Sequence, residues 1–79
     1  MVLADRARAA RKWELATRYY RDALNLKPYD SDIWVQCGHA LREAGKVSEA
    51  EIAYRKALEI DTKNADINAA LGHALALQG

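Results

Sequence analysis

The stretch Ser31–Asn64, SDIWVQCGHALREAGKVSEAEIAYRKALEIDTKN, decides the fold, because the residues on both sides of it repeat it in phase. Laid against itself at an offset of 34 residues without a gap, the chain pairs residues 1–45 with 35–79, and 15 of the 45 pairs are identical. Ala16/Ala50, Tyr20/Tyr54, Ala23/Ala57 and Leu24/Leu58 match upstream. Ile33/Ile67, Gly38/Gly72, His39/His73, Ala40/Ala74 and Leu41/Leu75 match downstream. A fixed period of this length marks one supersecondary unit stacked on its neighbours, since a single unit cannot bury its own apolar face. Such arrays offer surfaces to partners more often than they carry chemistry.

Punctuation and periodicity make the unit a helix pair. Apolar residues recur at i, i+3 and i+4, with no strand-like alternation. Helices are expected over about 1–10, 14–26, 32–43, 49–60 and 65–77. Ala10-Arg11-Lys12 forms the first, weak turn. Pro28 stops the second helix, and Asp30 or Ser31 caps the third. Gly45 ends the third as a left-handed cap, with Gly79 one period later. Ser48-Glu49-Ala50-Glu51 reads as a capping box opening the fourth helix. Asn64 caps the fifth. Gly38 is expected to face Ala50, where two small residues let the backbones approach, with Trp34, Leu41 and Tyr54 filling the wider part. Cys37 falls on the core stripe, as a small apolar group and not a nucleophile.

Composition narrows the function. Seventy-nine residues with a single cysteine make one small domain that helix packing alone must stabilise. The net charge is +1 but uneven: residues 1–27 carry +4, residues 28–64 carry −2 and residues 65–79 carry −1. Arg6, Arg8, Arg11, Lys12, Arg18 and Arg21 could attract nucleic acid, but no aromatic platform or reading motif accompanies them, so a nucleic-acid partner is disfavoured. No segment reaches the roughly 20 apolar residues of a membrane span and no signal sequence follows Met1, which suggests a cytoplasmic setting without membrane contact. No phosphate loop, nucleophile elbow or paired carboxylates appear, so no catalytic residue, enzymatic activity or cofactor is expected. His39 and His73 lie one period apart, but no His-x3-His or Cys pair supports a metal site.

Trp34, Gly38, Leu41, Ala50, Tyr54 and Ala57 in one ungapped frame resemble the tetratricopeptide repeat family, with Cys37 where Leu is usual, Thr62 where Pro is usual and Asn68 where Trp is usual. The resemblance covers the whole chain. It implies an all-α fold of antiparallel helix pairs stacked into a right-handed superhelical solenoid, and a concave groove lined by the first helix of each pair. In that frame residues 31–64 are the complete repeat, residues 1–30 a partial one and residues 65–79 a first helix only, together one module. The groove columns then run Asp5, His39, His73; Arg8, Arg42, Ala76; Met1, Val35, Ala69; Asp32, Asp66; and Ala9, Glu43, Leu77. From these, Asp5, Arg8, Asp32, Val35, His39, Arg42, Glu43, Asp66, Ala69 and His73 are the expected contacts to a protein or peptide partner. The family's carboxylate clamp would fall on Met1, Asp5, Gln36, Asp66 and Ala70, none of them cationic, so a clamp for a C-terminal carboxylate is not expected.

The frame also implies open ends. The chain enters part-way through one unit and stops part-way through another, leaving Leu71 and Leu75 expected as uncovered residues through which copies self-associate, or as the cut face of a longer array. The strings Ile33–Leu41 and Leu71–Leu75 also look like repeats that precede bacterial glycosyltransferase domains, which would make the module an accessory region of a larger enzyme.

Overall fold

The computed structural model describes residues 2–78, so Met1 and Gly79, named above for the groove and for a cap, lie outside the described residues. Five helices follow one another: α1 (Val2–Ala9), α2 (Trp13–Leu26), α3 (Ser31–Glu43), α4 (Val47–Ile60) and α5 (Ala65–Gln78). Each packs chiefly on its neighbour in sequence, α3 on α4 most extensively. The all-α stack measures 28 × 26 × 16 Å. Helices pack about 8–10 Å apart, so the short axis holds two layers.

The turns repeat with the sequence. At the end of α3, Gly45 takes φ 84°, and the Lys46 and Gly45 N–H groups donate to the carbonyls of Leu41 (2.8 Å) and Arg42 (3.0 Å). This paired arrangement satisfies carbonyls that the helix end leaves open. Arg11 holds the same place after α1: φ is 60°, with Lys12 N–H on Ala7 (2.8 Å) and Arg11 N–H on Arg8 (3.0 Å). A non-glycine residue thus occupies left-handed backbone, at a steric cost that glycine avoids. The other two turns match as well. Asp30 accepts the Ile33 N–H at 3.3 Å, and Asn64 accepts those of Asp66 (2.9 Å) and Ile67 (3.2 Å).

The capping box does not form. Helix α4 begins at Val47, and its N-cap is Lys46, without a side-chain cap. The Gly45 turn brings the backbone back to helical geometry before Ser48 is reached, so Ser48 and Glu51 are free to bond elsewhere. Both meet Gln78: Ser48 Oγ donates to its Oε1 (3.4 Å) and its Nε2 donates to Glu51 (2.6 Å). The end of α5 is thereby tied to the start of α4. Arg55 and Gln78 together hold the Glu51 carboxyl below its usual pKa.

One core runs the length of the stack. Ala4, Ala16, Tyr20, Leu24, Cys37, Ala40, Leu41, Ala50, Tyr54, Leu71 and Ala74 are all buried in it. Alanines from facing helices let the axes close, and the tyrosines fill what remains. The nearest atoms to Gly38 belong to Tyr54, not Ala50: a Cβ on Gly38 would sit 2.5 Å from Cε1 and 2.8 Å from Cδ1 of that ring. The small residue makes room for an aromatic ring, not for a second backbone. Leu71 is core and only 8% exposed, which corrects its reading as an uncovered residue. Helix α4 covers the arc of α5 that carries Ile67, Leu71 and Ala74. Leu75 sits about 40° further round the helix and stays 43% exposed.

Candidate functional site

Two hollows share Asp5 and Arg8. The first, about 410 Å³, lies between α1 and α3 and is lined by Asp5, Arg8, Ala9, Trp13, His39, Arg42 and Glu43. The second, about 640 Å³, continues toward the α2–α3 turn and adds Tyr20, Ala23, Leu26, Lys27, Asp30, Asp32, Ile33 and Gln36. Of the residues read as groove contacts, the structure brings together Asp5, Arg8, His39, Arg42 and Glu43 in the first hollow and Asp32 in the second. Val35, Asp66, Ala69 and His73 line neither. Val35 is half-buried, and the three on α5 are exposed.

The polar groups of this face are held from behind. Asp5 accepts a hydrogen bond from the Tyr20 hydroxyl at 3.1 Å. Arg8 donates through Nη1 to Gln36 Oε1, joining α1 to α3. His39 Nδ1 and the Tyr54 hydroxyl are 2.7 Å apart, with the rings edge-to-face at 5.5 Å between centroids. Burial pushes the His39 imidazolium down, helped by the Arg42 and Arg8 cations, and burial pushes the Tyr54 phenol up. Both therefore sit neutral at pH 7, the state in which a hydroxyl and a ring nitrogen can share one proton. Arg42 reaches Glu43 at 3.7 Å. Arg42 is half-buried and Glu43 exposed, and an ion pair in such a partly solvated place adds little stability.

The partner contacts expected from the sequence did not include Trp13, and they named Gln36 only as a position of the family's carboxylate clamp. Trp13 opens α2, one residue before the expected start of that helix, and its half-buried ring forms one wall of the first hollow. Its repeat equivalent is Val47, so the period gave no signal for it. Gln36 was legible through the repeat frame, which puts it at a clamp position one turn from Asp32.

The remaining reactive groups point away from chemistry. Cys37 is 2% exposed, and burial raises its thiol, against a weaker opposing pull from Arg21. Its thiolate, the nucleophilic form, is disfavoured. Among the described residues no three His, Cys, Asp or Glu side chains gather as a metal site, and no helix is long and apolar enough to cross a membrane.

Comparison with known proteins agrees with the repeat geometry. The family described as TPR repeat matches residues 38–79, just over half of the chain, from the middle of α3 through α5. No curated protein matches, and nothing in the family match carries the likeness to segments preceding glycosyltransferase domains. A 34-residue helix pair repeated in phase, tyrosines seated on the preceding helix and the matched profile lead to one conclusion: the chain belongs to the tetratricopeptide repeat family.

Proposed function

We propose that this chain is a non-catalytic interaction module that binds an extended peptide or partner segment along α1 and α3. One observation carries the reading: Asp5, Arg8, His39, Arg42 and Glu43 converge from two helices on a single hollow of about 410 Å³. Arg8 and Arg42 offer forked donors to acidic or carbonyl groups. Trp13 offers a flat apolar wall. Asp5 and Glu43 discriminate against uniformly acidic ligands. Preorganisation by Tyr20 and Gln36 reduces the side-chain entropy lost on binding.

The same contacts weigh against nucleic acid. Of the basic residues near the N-terminal end, Arg8 is engaged by Gln36 and Arg21 pairs with Glu49 at 3.3 Å. The reading takes residues 31–64 as the complete repeat and places the module in the cytoplasm, in keeping with its one unpaired cysteine.

Peptides selected from a random library on the immobilised chain test this. Arg42→Glu should weaken their binding about tenfold, the scale of one lost charged contact, with helix content unchanged. Asp5→Arg should shift the selected sequences toward acidic residues. Ligands indifferent to both variants would place the binding face elsewhere.

A second reading has its own observation. Leu75 and Leu77 remain 43% and 54% exposed on α5. Copies that pair through this face would give a concentration-dependent mass by light scattering, and Leu75→Glu would return monomers. A monomer at millimolar concentration counts against it.

A further inference from the structure

Leu3, Cys37 and Leu71 stand one period apart on α1, α3 and α5, and only α3 carries the shorter side chain. A third hollow, of about 450 Å³, opens where that side chain lies, bounded by α2, α3 and α4. Leu24, Trp34, Cys37, Leu41, Ile52 and Ala53 give it an apolar lining. Cys37 is part of that lining, so a leucine at this position would take up some of the space. The hollow falls in the size range of ligand sites, and it shares no residue with either hollow described above. Two of its walls are reachable from solvent. Trp34 is half-buried, its ring fixed by an indole N–H that donates to the Pro28 carbonyl at 2.8 Å. Ile52 is 57% exposed.

The rim is charged. Arg21 of α2 and Glu49 of α4 pair across it at 3.3 Å, both about half exposed, where such a pair adds little stability. Arg21 also lines a smaller, polar hollow of about 270 Å³, together with Arg18, Lys46, Glu14 and Asp22. Three cations there face two carboxylates, and neither Arg18 nor Lys46 enters an ion pair among the described residues. An apolar hollow thus adjoins a polar one with an excess of positive charge. Along α2 their middles lie about five residues apart, roughly 8 Å. Two or three residues of extended chain span that distance.

We propose that the groove between α2 and α4 binds a segment of a partner protein that seats a leucine-sized side chain over Cys37 and, two or three positions away, sets an acidic residue beside Arg18, Arg21 and Lys46. The partner's side chain supplies the bulk that leucine supplies at the same phase of α1 and α5. The excess of cations selects the acidic neighbour. This face is independent of the α1–α3 hollow, and a partner engaged there leaves it free.

Two synthetic peptides probe the groove, acetyl-Glu-Ala-Leu-amide and acetyl-Leu-Ala-Glu-amide. Each is titrated into the full chain and followed through the Trp34 indole and Ile52 methyl resonances. Saturable binding of at least one of them in the millimolar range is expected, since one seated leucine carries most of the affinity. Replacing its leucine by alanine should weaken binding by roughly tenfold or more. Replacing its glutamate by glutamine should weaken it about fivefold, the upper end for one exposed charge, and Arg18→Glu in the chain should do likewise. Cys37→Leu should abolish binding with helix content unchanged by circular dichroism, because it restores the residue found one period away on either side. Ile52→Glu, at an exposed position, should also abolish it, and it decides the matter if the added leucine overfills the core. Arg42→Glu should change nothing, which separates this groove from the α1–α3 hollow. Binding that survives both Cys37→Leu and Ile52→Glu overturns the proposal, as does binding lost on Arg42→Glu. Silence of both peptides up to tens of millimolar overturns it too. So does a dimer, seen by light scattering, that Ile52→Glu returns to monomers, because a second copy would then fill the hollow.

Discussion

Helices α3 and α5 spell Gly-His-Ala-Leu at the same phase of the repeat, yet those four residues live in different surroundings. On α3 they meet α4: Gly38 lies under the Tyr54 ring, His39 bonds its hydroxyl and Leu41 is buried. On α5 only the arc facing α4 is covered, so Ala74 is buried while Gly72, His73 and Leu75 are exposed. Identical residues therefore differ in energetic weight, and the difference measures what one packed helix adds. Two substitution pairs probe it directly, and a third pair and one pH dependence probe other positions one repeat apart or within α3.

The largest contrast is in the leucines. Leu41→Ala should cost about 2–5 kcal/mol, as for other buried leucines. Domains of this size hold roughly 3–5 kcal/mol in all, so much of the chain would be unfolded at 25 °C. Leu75→Ala should cost under about 1 kcal/mol, in line with a partly exposed site. Urea denaturation followed by circular dichroism reads both. Equal losses would show that the face of α5 is covered in solution.

Next come the glycines, where the sign should reverse. Gly38→Ala drives a methyl into the Tyr54 ring, an overpacking penalty of about 1–3 kcal/mol that outweighs the gain in helix propensity. Gly72→Ala meets no neighbour and should raise stability by about 0.8–1 kcal/mol through propensity alone. Stabilisation by both would mean that the tyrosine ring moves aside freely.

The two left-handed turns form a third pair. Gly45→Ala leaves open space unfilled but forces an L-residue to φ 84°, costing about 1–2 kcal/mol. Arg11→Gly relieves the same strain and should stabilise by about 0.5–1 kcal/mol after the extra chain entropy of glycine is counted. Thermal melting of the two variants should move in opposite directions.

The smallest effect is the pH dependence of His39. Burial and the nearby arginines place its folded pKa below the ordinary 6.5. The unfolded state thus binds the proton more readily, so this contribution to stability is complete above about pH 6.5 and is lost as pH falls through the lower folded value. His39→Gln should flatten the decline of melting temperature between about pH 7 and pH 5. An unchanged slope would assign the decline to carboxylates alone.

Much of this was legible beforehand, for identifiable reasons. Helix boundaries fell within one or two residues because Pro28, Asp30, Gly45 and Asn64 act on the backbone locally, whatever packs nearby. Cys37 read correctly as core because its stripe has the helical period. The errors share a cause. Ser48 and Glu51 satisfy the capping-box pattern, but Gly45 had already restarted the helix, and Gln78, 27 residues beyond Glu51, offered both another partner. Leu71 and Leu75 lie on one stripe, but the edge of α4 falls between them. Trp13 lay just outside the expected second helix, and its repeat equivalent is Val47, so neither period nor pattern marked it as a wall of the hollow.

The period, the turns and the alternation of small and large residues lie within one repeat, and short-range backbone sterics and helical geometry convert them into a stack of helix pairs. Amino-acid order alone determined that much of this protein. Only the tertiary structure decided which leucine is core, that the Tyr54 ring and not Ala50 lies against Gly38, and that Asp5, Arg8, His39, Arg42 and Glu43 meet around one hollow. Burial depends on what lies across the interface, and residues that are identical along the chain have different neighbours across it.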